Sequence, residues 1–128
     1  MTHALELVIP AQSAELRALR RQIEIWAGPY LPASVMEDLK LAITEACANS
    51  VLHSGTKEIR VSVRFVDACV EVVVADDGIY RELLTSVEDD SEAHRGLALM
   101  GALVDDLTLS RGTESRAGTT VRMRKCLA

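Results

Sequence analysis

The rhythm of hydrophobic and polar residues changes along this chain, and each change marks an element. Residues 58–66 alternate strictly, with Ile59, Val61, Val63 and Phe65 on one face and Arg60, Ser62 and Arg64 on the other. A two-residue period of this kind predicts a half-buried strand. Residues 69–75 repeat it through Val70, Val72 and Val74, and the short Asp67-Ala68 link predicts an antiparallel hairpin. Residues 4–9 read as a first strand closed by Pro10. Leu16, Leu19, Ile23 and Trp26 recur instead at helical spacing. They predict a core-facing helix capped by Ser13, running to about Ala27 and ended by Gly28-Pro29. The pattern Ser34-x-x-Glu37 matches a capping box and predicts a second helix, to about His53, with Val35, Leu39, Ala42, Ile43 and Ala46 on its apolar arc.

Residues 79–95 lose all periodicity and carry the acidic run 88–92, so they read as a lid or a disordered segment. Helical patterning returns over 97–106. Residues 107–110 and 119–124 then predict a last hairpin around the loop 111–118. The order strand, helix, helix, two strands, loop, helix, two strands predicts an α+β two-layer sandwich. Its sheet should be mixed but mostly antiparallel, with the helices on one face, in a single domain over 1–128.

Composition sharpens this picture at three points. Hydrophobic residues make up 48% of the 128 residues and aromatics only 3%, so the chain should fold around an aliphatic core. The net charge of -5 argues against nucleic acid as a direct partner, while leaving room for a phosphorylated ligand held by backbone N–H groups. Cys47, Cys69 and Cys126 are odd in number, far apart and without metal-site spacing. Free thiols are therefore expected, as in a reducing cytosol. The N-terminal residues show no signal peptide and no apolar run reaches bilayer length, so a cytoplasmic location without membrane contact is expected.

Four features carry candidate chemistry. Glu45, Asn49 and His53 repeat every four residues and so share a helix face bordering the apolar arc. Asn is a poor residue for a helix interior, and its carbonyl is a hard-oxygen ligand suited to Mg²⁺. A carboxylate one turn earlier can take a proton from an attacking hydroxyl. Asp76-Asp77-Gly78 closes a strand, which is an ordinary turn or a buried carboxylate that accepts a hydrogen bond from an amino group. Arg95-Gly96-Leu97 stands where a helix starts after the lid, and helix N-termini attract phosphate. Gly118-Thr119-Thr120 leads into the last strand.

Taken together, E-x-x-x-N on a helix, D-x-G at a strand end, a lid, a G-L-x-L helix start and a final G-T strand resemble the ATP-binding domain of the GHKL superfamily. Within it, Glu45 to His53, Arg95 to Leu107 and Gly118 to Lys125 resemble the anti-sigma-factor serine kinases. The resemblance implies Mg²⁺ held by Asn49 and ATP bound with Asp76 reading the adenine amine beside Gly78 and Thr119. It implies phosphates against Arg95, Gly96 and Leu97, with Glu45 as general base on a protein serine. It further implies two partners, a sigma factor and an anti-anti-sigma protein of the STAS type, and a homodimer among its assemblies. Two positions depart from the family pattern: Tyr80 and Ala98 stand where glycines are expected. They favour a second reading, a non-catalytic binding protein with a degenerate nucleotide site.

Overall fold

The structure is a computed structural model that describes residues 4–78, 92–110 and 118–127, and only the backbone of 92–94. The described residues form five strands: β1 (Ala4–Pro10), β2 (Glu58–Val66), β3 (Cys69–Asp76), β4 (Asp106–Ser110) and β5 (Thr119–Cys126). Their order in the sheet is β1-β2-β3-β5-β4, and every neighbouring pair is antiparallel. The sheet expected to be mixed is thus antiparallel throughout among the described strands. The reason is topological. Strands β3 and β4, joined through a helix, do run in the same direction, but β5 lies between them and pairs with both. The pair β1 and β2 is joined by two helices, α1 (Leu16–Ala27) and α2 (Ala33–Asn49), which return the chain antiparallel.

The expected alternation holds. Ile59, Val61 and Val63 of β2 and Val70, Val72 and Val74 of β3 are buried, as are Val121 and Met123 of β5. They pack with Leu19, Ile23, Leu39, Ile43, Ala46 and Met100 of α1, α2 and α3 (Glu92–Leu103) in one aliphatic core. The other face of the strands carries charge. Arg64 pairs with Glu71 at 2.8 Å, and Arg124 pairs with Asp106. Trp26 is only half-buried and stacks on Phe65 with ring centroids 5.5 Å apart. Lys125 ties the layers together, donating to the Leu103 carbonyl at 2.8 Å and to Asp38 at 3.2 Å.

Helix starts differ from expectation: neither α1 nor α2 uses a side-chain cap. Ser13 opens a 3₁₀ turn that precedes α1 and makes no capping bond. The helix α2 starts at Ala33, one residue before the expected cap, so the Ser34–Glu37 box does not form. Pro32 cannot be helical beyond the first turn but its carbonyl can accept, and it takes the Met36 N–H at 3.0 Å. The helix predicted over 97–106 starts earlier, at Glu92, and stops at Leu103.

The cysteines overturn the expectation of free thiols. Cys69 and Cys126 form a disulfide, and only Cys47 is free. The two lie 57 positions apart in sequence but directly opposite in the β3–β5 register. The Leu127 N–H bonds the Ala68 carbonyl at 2.9 Å, which makes the next pair, Cys69 and Cys126, a non-hydrogen-bonded one. Side chains approach most closely at such pairs. The cysteine content therefore gives no support for a reducing compartment. Among the described residues no helix is long and apolar enough to cross a membrane.

Candidate functional site

The helix α2 carries the first half of the site. Its α-helical part ends at Asn49, and residues Ser50–Ser54 continue as a π turn closed by Gly55 in the left-handed region (φ 76°). Turns of this kind are rare and recur at functional sites. His53 falls within this turn and is half-buried. Asn49 is 3% exposed, and its Nδ2 makes no hydrogen bond among the described residues. A buried carboxamide with unspent capacity is costly unless something completes it.

Facing it is α3. A β-carbon added to Gly96 would sit 2.9 Å from Asn49 Nδ2, 3.2 Å from Asn49 Oδ1 and 3.3 Å from Glu45 Oε2. The glycine therefore lets α3 touch the two polar side chains of α2, and the structure brings Glu45, Asn49 and Gly96 into one group. The expected role of Gly96 is altered by the early start of α3. Gly96 was expected at the helix start; with the helix beginning at Glu92, it lies in the second turn and its N–H belongs to the helical ladder. The N–H groups that a helical ladder leaves over belong to the first turn, ahead of it. Arg95 is exposed, and Leu97 packs partly against the core.

The strand end holds the second half. Asp76 is in phase with Val70, Val72 and Val74, so it points toward the helices and is 2% exposed. Asp77 takes the opposite face, where Arg60 grips it at 3.2 and 3.3 Å. Both Asp76 oxygens are fixed: Oδ2 accepts the Ser50 hydroxyl at 2.7 Å and Oδ1 accepts the Gly78 N–H at 2.8 Å. Thr119, 1% exposed, donates to the Gly78 carbonyl at 3.2 Å, and the Gly118 N–H reaches the same carbonyl at 3.1 Å. Gly78 has a reason of its own. A β-carbon there would lie 2.0 Å from the Ser54 carbonyl oxygen, so the π turn backs directly onto the strand end. Asp76, Gly78 and Thr119 thus form a second group, linked to α2 through Ser50.

Cys47 lies within the core beside this group. Burial pushes its thiol up to about 12, and the Asp76 carboxylate adds to the rise. Sequence reasoning did not single out Ser50. Its signal was present, a hydroxyl directly after the key Asn, but its target depends on the π turn. Tyr80 and most of the expected lid 79–95, like the loop 111–117, lie outside the described residues.

A resident metal would have few protein ligands here. No cluster of three His, Cys, Asp or Glu side chains able to hold an ion occurs among the described residues. One carboxamide oxygen with a carboxylate nearby does suit Mg²⁺ that arrives on a nucleotide, since that ion takes most of its ligands from phosphate and water.

A family model described as the histidine kinase-like ATPase domain matches residues 9–125. Among curated proteins, the serine-protein kinase RsbW of Bacillus subtilis is 31% identical, over 96% of this chain and 85% of its own length. The serine-protein kinase RsbW of Bacillus velezensis is 36% identical over 72% of this chain; the match spans 65% of that relative, just under two thirds of its length. Among solved structures, the RsbU and RsbW domains of a Mycobacterium tuberculosis protein superpose with a TM-score of 0.76 at 25% identity. That match covers 97% of this chain and 32% of the other.

Proposed function

Because this chain belongs to the histidine kinase-like ATPase family, we propose that it is a regulatory protein serine kinase of the anti-sigma type. It binds Mg-ATP, sequesters a sigma factor in the cytoplasm and phosphorylates a serine of an anti-anti-sigma partner of the STAS type. The observation that carries this reading is the meeting of Glu45, Asn49 and Gly96 across α2 and α3, beside a buried Asp76 held at both oxygens. The name that two relatives carry, serine-protein kinase, supports the same reading.

Each residue has a task. Asp76 accepts the exocyclic amine of adenine, with Gly78 and Thr119 holding the strand end behind it. Asn49 offers its carboxamide to the Mg²⁺ that accompanies the triphosphate, and that ion supplies charge neutralisation at the phosphates. Arg95, Gly96 and Leu97 border the phosphate end. Glu45 takes the proton from the attacking serine hydroxyl, and the transfer otherwise rests on positioning. In dimeric form the chain would present two such sites.

The test is thermal and enzymatic. Mg-ATP at a hundredfold its dissociation constant stabilises a binder by about 2.7 kcal/mol, so the wild type should melt several degrees higher. Asn49→Ala and Asp76→Asn should not shift. Glu45→Ala should still shift with Mg-ATP yet transfer no phosphate to the partner. A wild type that shows no shift at millimolar Mg-ATP would end this reading.

A further inference from the structure

We propose that Ser50 is a positioning residue that sets purine selectivity by fixing the carboxylate of Asp76. The inference rests on the reading of Asp76 as the adenine contact and adds a residue to it. The Ser50 hydroxyl donates to Asp76 Oδ2 at 2.7 Å, and the Gly78 N–H donates to Oδ1 at 2.8 Å. One donor on each oxygen holds the plane of the carboxyl group and occupies one lone pair on each.

Ser50 is itself well placed to do this. It is 1% exposed and opens the π turn. Its carbonyl accepts the Ser54 hydroxyl at 2.7 Å, and Ser54 Oγ in turn accepts the Thr56 N–H at 3.2 Å. The Ser54 carbonyl lies against Gly78. The turn and the strand end therefore hold each other, and the Ser50 hydroxyl is a side-chain link between them.

The chemistry of selection follows from the inventory. An ionised carboxylate only accepts. With one donor on each oxygen, the lone pairs left to a ligand can be met only by a donor. The amino edge of adenine supplies one. The 6-carbonyl of hypoxanthine presents an acceptor to an acceptor, and a buried site built for a donor rejects such an analogue strongly. Removing the Ser50 hydroxyl leaves the carboxyl group free to turn and weakens this discrimination.

ATP and ITP carry the same ribose and triphosphate, so their ratio isolates the base edge. We expect the wild type to prefer ATP over ITP by at least a hundredfold in dissociation constant. Ser50→Ala should weaken ATP roughly tenfold, the loss expected for one hydrogen bond to a charged group, while ITP changes little. Ser50→Thr, which keeps the hydroxyl, should retain the preference. If Ser50→Ala does not fold, Ser50→Cys removes the strong donor at nearly the same volume and gives the same comparison. Equal losses of ATP and ITP, or an ATP-to-ITP ratio unchanged from the wild type in both Ser50→Ala and Ser50→Cys, overturn this inference alone. A wild type indifferent to the two nucleotides overturns the adenine reading and this inference with it.

Discussion

Reducing the Cys69–Cys126 bond should lower stability by an amount that the register sets. The bond closes a loop of 57 residues between the start of β3 and the end of β5. In the chain-entropy description, a loop of that length removes about 14 cal/mol/K from the unfolded ensemble, which is about 4 kcal/mol at 25 °C. A chain of 128 residues unfolds with an entropy of about 270 cal/mol/K near its midpoint. The melting temperature should then fall by about 15 °C, or by at least 7 °C at the low end of about 2 kcal/mol measured for native disulfides. The assay is differential scanning fluorimetry or calorimetry with and without a phosphine reductant. Cys126→Ser should melt where the reduced wild type melts and should ignore the reductant. Thiol titration in denaturant should count one free thiol before reduction, from Cys47, and three after it. A reductant effect below about 3 °C, or three thiols in the untreated protein, would refute the reasoning.

Why this bond was invisible in the sequence shows what could and could not be read there. The strand faces were legible because parity is local: Val70, Val72 and Val74 fix which way β3 faces, and the same count turns Asp76 inward and Asp77 outward. The disulfide needed a second count, the register of β5 on β3, and its two cysteines lie 57 positions apart. The fold class and the antiparallel β2–β3 hairpin followed from period and turn length alone. The intervening position of β5 did not, since nothing local tells a strand which neighbour to choose. Helix starts depart from the sequence pattern for a related reason. Ser13 and Ser34 had the right chemistry for caps, but Pro32 and a preceding 3₁₀ turn set the starts by backbone geometry. At the site, the Glu45 to Asn49 spacing was readable because both residues lie in one regular helix. The partners across it, Gly96 on α3 and Ser50 on a π turn, depend on packing between elements.

Three further perturbations separate the parts of the site. Gly96→Ala places a β-carbon 2.9 Å from Asn49 Nδ2. Overpacking costs about 1–3 kcal/mol and the gain of Ala over Gly in a helix interior returns about 1. The net loss is therefore at most about 2 kcal/mol, a fall of no more than about 7 °C in melting temperature, while Mg-ATP affinity, read by calorimetry, drops more than tenfold; unchanged affinity would mean that α3 need not touch Asn49. Gly78→Ala has no such compensation, because its β-carbon meets the Ser54 carbonyl oxygen at 2.0 Å. Denaturant unfolding should show a loss of about 3 kcal/mol or more, and a loss under 1 would mean that the strand end does not rest on the turn. The last concerns pH. Burial raises the Cys47 thiol from its ordinary 9.0 to about 12. Unfolding exposes a group that ionises near its ordinary value, so the unfolded state binds fewer protons than the folded one between those two limits. The contribution of the protonated thiol is therefore fully present below pH 9 and is lost as the pH rises toward 12, at a slope of about 1.4 kcal/mol per pH unit. Comparing the wild type with Cys47→Ala in denaturant titrations between pH 8 and 11 isolates this slope from the other titrating groups. Parallel curves for the two proteins would show that the thiol ionises as readily in the fold as outside it, and so is not sealed beside Asp76.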